Sequence, residues 1–106
     1  MTVFNKLVRD KIPQIIEDSG CTPHIRVLDQ EEYTLRLEEK LDEEVQEFHR
    51  DKNAEELADI LEVVFALAKS LGCSREEVLK LCDTKHDARG GFEKRIFLIS
   101  REEANG

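Results

Sequence analysis

Two segments with helical periodicity each carry a pair of carboxylates on the side that should face a hydrophobic core. An acidic side chain placed beside an apolar stripe is costly to bury, and it needs either a partner or a bound cation. Carboxylates at this spacing are typical of sites that bind a metal ion through oxygen. The pairs are Glu44 with Glu47 in the first segment, and Glu56 with Asp59 in the second.

The connection between the two segments sets their register. Residues 51–53 predict a short turn, so the two helices should pack antiparallel, with residues equally distant from the turn facing each other. This register pairs Glu44 with Asp59 and Glu47 with Glu56. Four anions at one level repel each other, and a divalent cation would neutralise them. A ligand set of oxygens without His or Cys favours Mg²⁺, or Mn²⁺, over zinc.

The alternative is that these residues are ordinary solvated carboxylates. Asp and Glu make up 24 of the 106 residues, so acidic pairs at helical spacing are expected by chance. Two core-side pairs in matching register favour the metal site over that alternative. Glu38, Glu39 and Glu43 are predicted to lie away from Glu44, on a solvated face with some charge pairing.

The elements that position these residues predict a mainly α protein with a single domain spanning residues 1–106. Composition supports this class, since 38% of residues are charged and only five are Gly. The core stripes are predicted at Leu37, Leu41, Val45 and Phe48, and at Ile60, Val64, Leu67 and Leu71.

Capping residues and glycines define the helix ends. A short two-stranded β element, formed by residues 24–28 and 94–99, is a further possibility from their alternating pattern. The predicted helices are a short one capped by Asp10 and stopped by Gly20, a long one opened by Asp29 and Glu32, one from about Ala54 to Leu71, and one capped by Ser74 with Glu77 that reaches Arg89.

Charge is unevenly distributed along the chain. The net charge is −8, and 14 of the 24 acidic residues lie between positions 29 and 62. An anionic protein is repelled by the phosphate backbone, so nucleic acid is not expected as a partner. Neither a membrane-spanning segment nor a signal peptide is expected, and three cysteines without metal or disulfide spacing fit a reducing cytoplasm.

A basic cluster surrounds Gly90-Gly91. Lys85 and Arg89 are four residues apart on one helical face, where they could bind phosphate oxygens. Lys94 and Arg95 follow the glycines, and for these two a salt bridge to the acidic helices is as plausible as a functional role.

The segments "KLDEEVQE" at 40–47 and "EELAD" at 55–59 resemble the Glu-x-x-Glu and Glu-x-x-Asp motifs of the MazG-like nucleoside triphosphate pyrophosphohydrolases. "NKLVRDKIP" and "RGGFEKRIFL" resemble a small single-domain branch of that all-α superfamily, so the similarity spans nearly the whole chain. The resemblance implies a helical bundle, an oligomer (a dimer or a tetramer), and Mg²⁺-dependent cleavage between the α and β phosphates of a nucleoside triphosphate. A shorter linker between the motifs than in many relatives leaves base preference open.

The resemblance also assigns roles. It implies that metal is held by Glu44, Glu47, Glu56 and Asp59, with Glu44, Glu47, Lys85 and Arg89 as the catalytic set; which carboxylate acts as general base stays open. Substrate contacts are implied for Lys6, Arg9, Lys11, Lys40, Lys94 and Arg95. The alternatives are a phosphoribosyl-ATP pyrophosphohydrolase of histidine biosynthesis, which the terminal segments fit less well, and a non-catalytic helical interaction module.

Overall fold

The computed structural model describes residues 1–104, and the prediction of an all-α chain is confirmed for them. No strand occurs in this part of the protein. None of its helices is both long enough and apolar enough to cross a bilayer. The helices are α1 (Ile12–Asp18), α2 (Gln30–Asp51), α3 (Ala54–Ser70) and α4 (Arg75–Arg89).

Helices α2 and α3 form the hairpin that the short turn predicts. The Asp29 carboxylate accepts a hydrogen bond from the Glu32 backbone N–H at 2.9 Å, which caps α2 as expected. Lys52 takes the left-handed conformation with φ 50° and ends α2. Asn53 then caps α3 by accepting from the Glu56 N–H at 3.0 Å. The C-cap of α2 and the N-cap of α3 are therefore adjacent residues, and α3 returns along α2.

The hydrophobic core of the described chain is small. Leu37, Val63 and Ala68 are its buried apolar residues, and no side chain is completely enclosed. Leu37 was predicted in the core stripe, whereas Val63 was not. Leu71 was also predicted there, but it is 85% exposed, because α3 ends at Ser70 and Leu71 lies in the turn toward Gly72.

Helix α1 lies apart from the bundle, since no Cα of α1 is within 8 Å of a Cα in another helix. The predicted Asp10 cap is wrong: Lys11 occupies the N-cap position, in a helical conformation and without a side-chain cap. Pro13 supplies the stiff first turn in its place. Gly20 follows the helix with φ 92°, as expected for the residue that stops it.

Helix α4 contacts α3 but not α2. The Ser74 hydroxyl accepts from the Glu77 N–H at 3.1 Å, which confirms the predicted cap. At the same corner the Arg75 guanidinium stacks on the Phe65 ring at 4.5 Å. Beyond its first turn α4 is exposed throughout, and the described chain is elongated, measuring 68 × 31 × 23 Å.

The short β element is not formed. Residues 24–28 and 94–99 have no strand assignment, and most of their side chains are exposed, including Val27 at 92% and Phe97 at 88%. A two-stranded ribbon is marginal in water unless one face packs on something apolar. No helix of the described chain covers these segments. Their alternating apolar and polar residues are therefore not enough to pair them as strands.

Candidate metal centre

Three of the four predicted ligands come together between α2 and α3. One carboxylate oxygen from each of Glu44, Glu56 and Asp59 lies within 4.8 Å of the other two. A second group, formed by Glu43, Glu44 and Glu47, meets the same distance criterion. The two groups share Glu44, so the carboxylates form one continuous acidic cluster across the hairpin.

The hairpin turn explains this placement. Because α3 begins two residues after α2 ends, the last two turns of α2 lie beside the first two turns of α3. Glu44 projects from α2 toward α3, and Glu56 and Asp59 project back from the first turns of α3. The sequence predicted that residues equally distant from the turn face each other. For Glu44 and Asp59 this register agrees with the structure.

Glu44 is the buried member of the cluster, with 6% of its surface exposed. Burial raises the pKa of its carboxyl above the ordinary value, and the neighbouring Glu47 adds to the rise, while Lys40 opposes it. Its Oε2 is enclosed and has no hydrogen-bond partner among the described residues. A buried carboxylate oxygen without a donor is an unusual and costly arrangement, which a bound cation would relieve.

Glu56 shows the same features at the α3 side of the cluster. Its Oε2 is enclosed and also lacks a hydrogen-bond partner in the described chain. Desolvation raises the pKa of this carboxyl, and the negative charges of Glu47, Asp51 and Asp59 raise it further. The charge of Glu47 therefore affects the pKa of Glu56. The carboxylate oxygens grouped with Glu47, however, are those of Glu43 and Glu44.

Three basic side chains contact the rim of the cluster. The Lys40 ammonium lies 3.3 Å from Glu44 Oε1 and 3.6 Å from Glu43 Oε1. Lys6 lies 3.3 Å from the same Glu43 oxygen. Arg9 donates to Asp59 Oδ1 at 2.6 Å. None of these cations reaches Glu44 Oε2 or Glu56 Oε2, so the inner oxygens remain unpaired.

The position assigned to Glu43 in the sequence was wrong. It was predicted to lie away from Glu44, but it joins Glu44 and Glu47. The charge pairing expected for it is present, with Lys6 and Lys40. The signal was present in the sequence, because Glu43 and Glu47 are four residues apart and so lie on the same side of α2.

The remaining residues predicted to be catalytic or to bind substrate lie outside the contacts of this cluster. Lys11 is exposed at the start of α1. Within residues 1–104, Lys85, Arg89, Lys94 and Arg95 are exposed and form no ion pair. The described chain thus brings Lys6, Arg9 and Lys40 to the carboxylates and leaves the basic cluster around Gly90-Gly91 apart from them.

Comparison with known proteins adds one relative. The chain is 57% identical over 42 residues to a protein of Mycolicibacterium smegmatis (strain ATCC 700084 / mc(2)155) that is described as an uncharacterized protein. The match covers 40% of this chain and 43% of that relative's length. No protein-family profile matches the chain, and no solved structure matches it.

Proposed function

We propose that this protein is a Mg²⁺-dependent nucleoside triphosphate pyrophosphohydrolase, which cleaves between the α and β phosphates to give a nucleoside monophosphate and pyrophosphate. The observation that carries the proposal is Glu44, a buried carboxylate with an unpaired inner oxygen, facing Glu56 and Asp59 across the hairpin. Oxygen ligands and a surplus of negative charge suit Mg²⁺, and Mn²⁺ would fit the same ligands.

The position of each carboxylate in the cluster would set its role in metal binding and proton transfer. Glu44, Glu56 and Asp59 would hold the metal, with Glu47 next to them on α2. When bound, a divalent ion in such a site supplies Lewis acidity and a nucleophilic water. A carboxylate of the cluster whose oxygen faces that water rather than the metal would accept its proton.

Basic side chains would bind the anionic substrate at the rim. Lys40, Lys6 and Arg9 already contact cluster carboxylates, so they lie within reach of a phosphate bound there. Arg9 can offer paired donors to phosphate oxygens, whereas the two lysines offer point charges. Lys85 and Arg89 would contribute from α4, and Lys11, Lys94 and Arg95 are further proposed substrate contacts.

The proposal includes assembly and location. We infer a homo-oligomer, either a dimer or a tetramer, because the described chain buries so little apolar surface. A cytoplasmic location is supported by three free thiols, at Cys21, Cys73 and Cys82. The alternative of a non-catalytic interaction module is favoured by one observation, namely that Lys85 and Arg89 contact none of the cluster carboxylates.

The test is pyrophosphate release from a panel of common and damaged nucleoside triphosphates and phosphoribosyl-ATP, with Mg²⁺ and with a chelator. We expect release that requires Mg²⁺ and is abolished by Glu44→Gln. Glu55→Gln is the matched control, because Glu55 lies in the first turn of α3 but is exposed and outside the cluster. Mn²⁺ binding by the folded protein without turnover of any nucleotide would support the interaction module.

A further inference from the structure

The last quarter of the described chain buries little of its surface within the same molecule. Every residue from position 79 to position 104 is exposed. This stretch includes most of α4 and the strongly apolar residues 96–99. An isolated helix of 15 residues, the length of α4, is marginal in water. The most exposed large hydrophobic side chains of this stretch are Phe92, Ile96, Phe97, Leu98 and Ile99, at 77% to 96% of their full surface.

The surface area of the chain shows how much packing is missing. The accessible surface is 9847 Å². A compact monomer of 12.3 kDa would expose about 6,100 Å². The excess of roughly 3,700 Å² exceeds the share that each partner buries even in large, obligate interfaces. The radius of gyration, 19.1 Å, is likewise well above the about 13 Å of a compact domain of this size.

A receiving surface is present on α3. Leu57 and Leu61 are four residues apart, so they share a face, and they are 47% and 49% exposed. They occupy the same turns of α3 as Glu56 and Asp59. Their side chains, however, project about 100° to 160° around the helix from those two carboxylates, so a segment packed on the leucines would lie on the side of α3 that faces away from α2.

Charge favours a second copy as the occupant. Residues 85–95 carry four basic and two acidic side chains, a net charge of +2, while 14 acidic residues lie between positions 29 and 62. None of the four cations has an ion-pair partner within the described part of its own chain. One copy thus offers an apolar, basic segment, and another offers an apolar face on a hairpin rich in acidic residues.

We propose that residues 79–99 of one copy pack on the Leu57–Leu61 face of a second copy, and that the second copy's segment packs on the first in the same way. The exchange is symmetric, so it closes as a dimer and leaves neither segment exposed. It brings Lys85, Arg89, Lys94 and Arg95 of one copy to the acidic α2–α3 hairpin of the other. The inference rests on the homo-oligomer proposed above and names the surfaces that form it.

Sedimentation of the full chain tests the interface without reference to activity. We expect a mass of at least twice 12.3 kDa, and we expect Leu61→Asp and Phe97→Asp each to lower it to one chain. Val27→Asp is the matched control, since Val27 is 92% exposed and lies outside both surfaces. A wild-type monomer would overturn both this inference and the homo-oligomer, whereas an oligomer that survives both substitutions would overturn only this one.

A cross-linking experiment covers the case in which an aspartate variant fails to fold. Two tagged copies, one with Leu61→Cys and one with Leu98→Cys, are mixed in a background in which the three native cysteines are serine. We expect a covalent link between the two copies, and none when Val27→Cys replaces Leu98→Cys. A link that forms only when both new cysteines are in the same chain would show that the segment folds back on its own α3.

Discussion

Arg9 and Asp59 are joined by a hydrogen bond of 2.6 Å from the guanidinium Nη2 to the carboxylate Oδ1. The two residues are 50 positions apart, so the pair attaches the N-terminal segment to the first turns of α3. Asp59 is also one of the three carboxylates that approach each other across the hairpin. In the metal-free protein, Arg9 therefore supplies part of the positive charge that a metal ion would supply.

Arg9→Ala should therefore strengthen metal binding in the absence of nucleotide. A partly exposed ion pair contributes about 0 to 1 kcal/mol, so we expect the Mn²⁺ dissociation constant to fall by up to about fivefold. Titration calorimetry measures this. Lys11→Ala is the control, because Lys11 is exposed and forms no ion pair within residues 1–104. Weaker Mn²⁺ binding by Arg9→Ala would mean that Arg9 organises Asp59 rather than competing for it.

Replacing two ligands on α3 should abolish metal binding. Glu56→Gln together with Asp59→Asn keeps the shapes of the side chains and removes two of the three charges that meet across the hairpin. We expect no calorimetric signal for Mg²⁺ or Mn²⁺ at millimolar concentration. Glu55→Gln together with Glu62→Gln removes the same charge from exposed positions of α3 and should leave binding unchanged. Unaltered affinity in the first variant would refute the assigned ligands.

Glu44→Gln should stabilise the metal-free protein at neutral pH. Because burial raises the pKa of Glu44, its contribution to stability is fully present below the ordinary value of 4.5 and is lost as pH rises through the raised, folded-state pKa. Removing the buried, unpaired oxygen should raise the free energy of unfolding by about 1 kcal/mol. For a small domain this corresponds to a rise in Tm of about 4 to 8 °C.

The amide of Gln keeps an oxygen that can accept from Lys40, while Glu43, Glu47, Glu56 and Asp59 retain their charges. Thermal unfolding with a chelator at pH 4 and pH 7.5 is the measurement. The gain should appear at pH 7.5 and be small at pH 4. A loss of stability at pH 7.5 would show that the Lys40 pair outweighs the burial of Glu44.

Arg89→Lys should reduce nucleotide turnover and leave thermal stability nearly unchanged. Arg89 is exposed at the end of α4, and Lys keeps its charge but loses the paired donors that suit phosphate. Turnover per folded molecule and Tm are both measured, with Arg50→Lys, at the exposed end of α2, as the control. A marked fall in Tm with turnover intact would assign Arg89 to packing between copies.

Asn53→Ala should destabilise the hairpin by about 0.5 to 2 kcal/mol. The reason is that α3 loses its N-cap side chain, which accepts a hydrogen bond from the Glu56 backbone N–H. Asn53→Ser keeps a capping oxygen and should retain most of the stability. Chemical denaturation gives the two values. Since the cap positions Glu56, we also expect Asn53→Ala to weaken Mn²⁺ binding. Equal stability of the Ala and Ser variants would show that the cap does not contribute to the stability of the hairpin.

Much of the fold was predictable because it depends on local chemistry. Asp29, Ser74 and the glycine after α1 define helix ends through their own backbone preferences, which need no tertiary contact. The short turn then fixed the register that places Glu44 opposite Asp59. Local preference was less informative at Asp10, where Pro13 supports the first turn without a capping side chain.

Tertiary structure decided what depends on distant neighbours. Only packing of α3 on α2 determines that Glu44 is buried with an unpaired oxygen, and that Glu43 turns toward the cluster where Lys6 and Lys40 meet it. The alternating pattern of residues 94–99 could not show whether a partner strand lies beside them, because pairing depends on a surface elsewhere in the chain. The exposure of that segment, and its separation from the acidic cluster, follow from the direction of α4, which depends on its contact with α3 rather than on its own sequence.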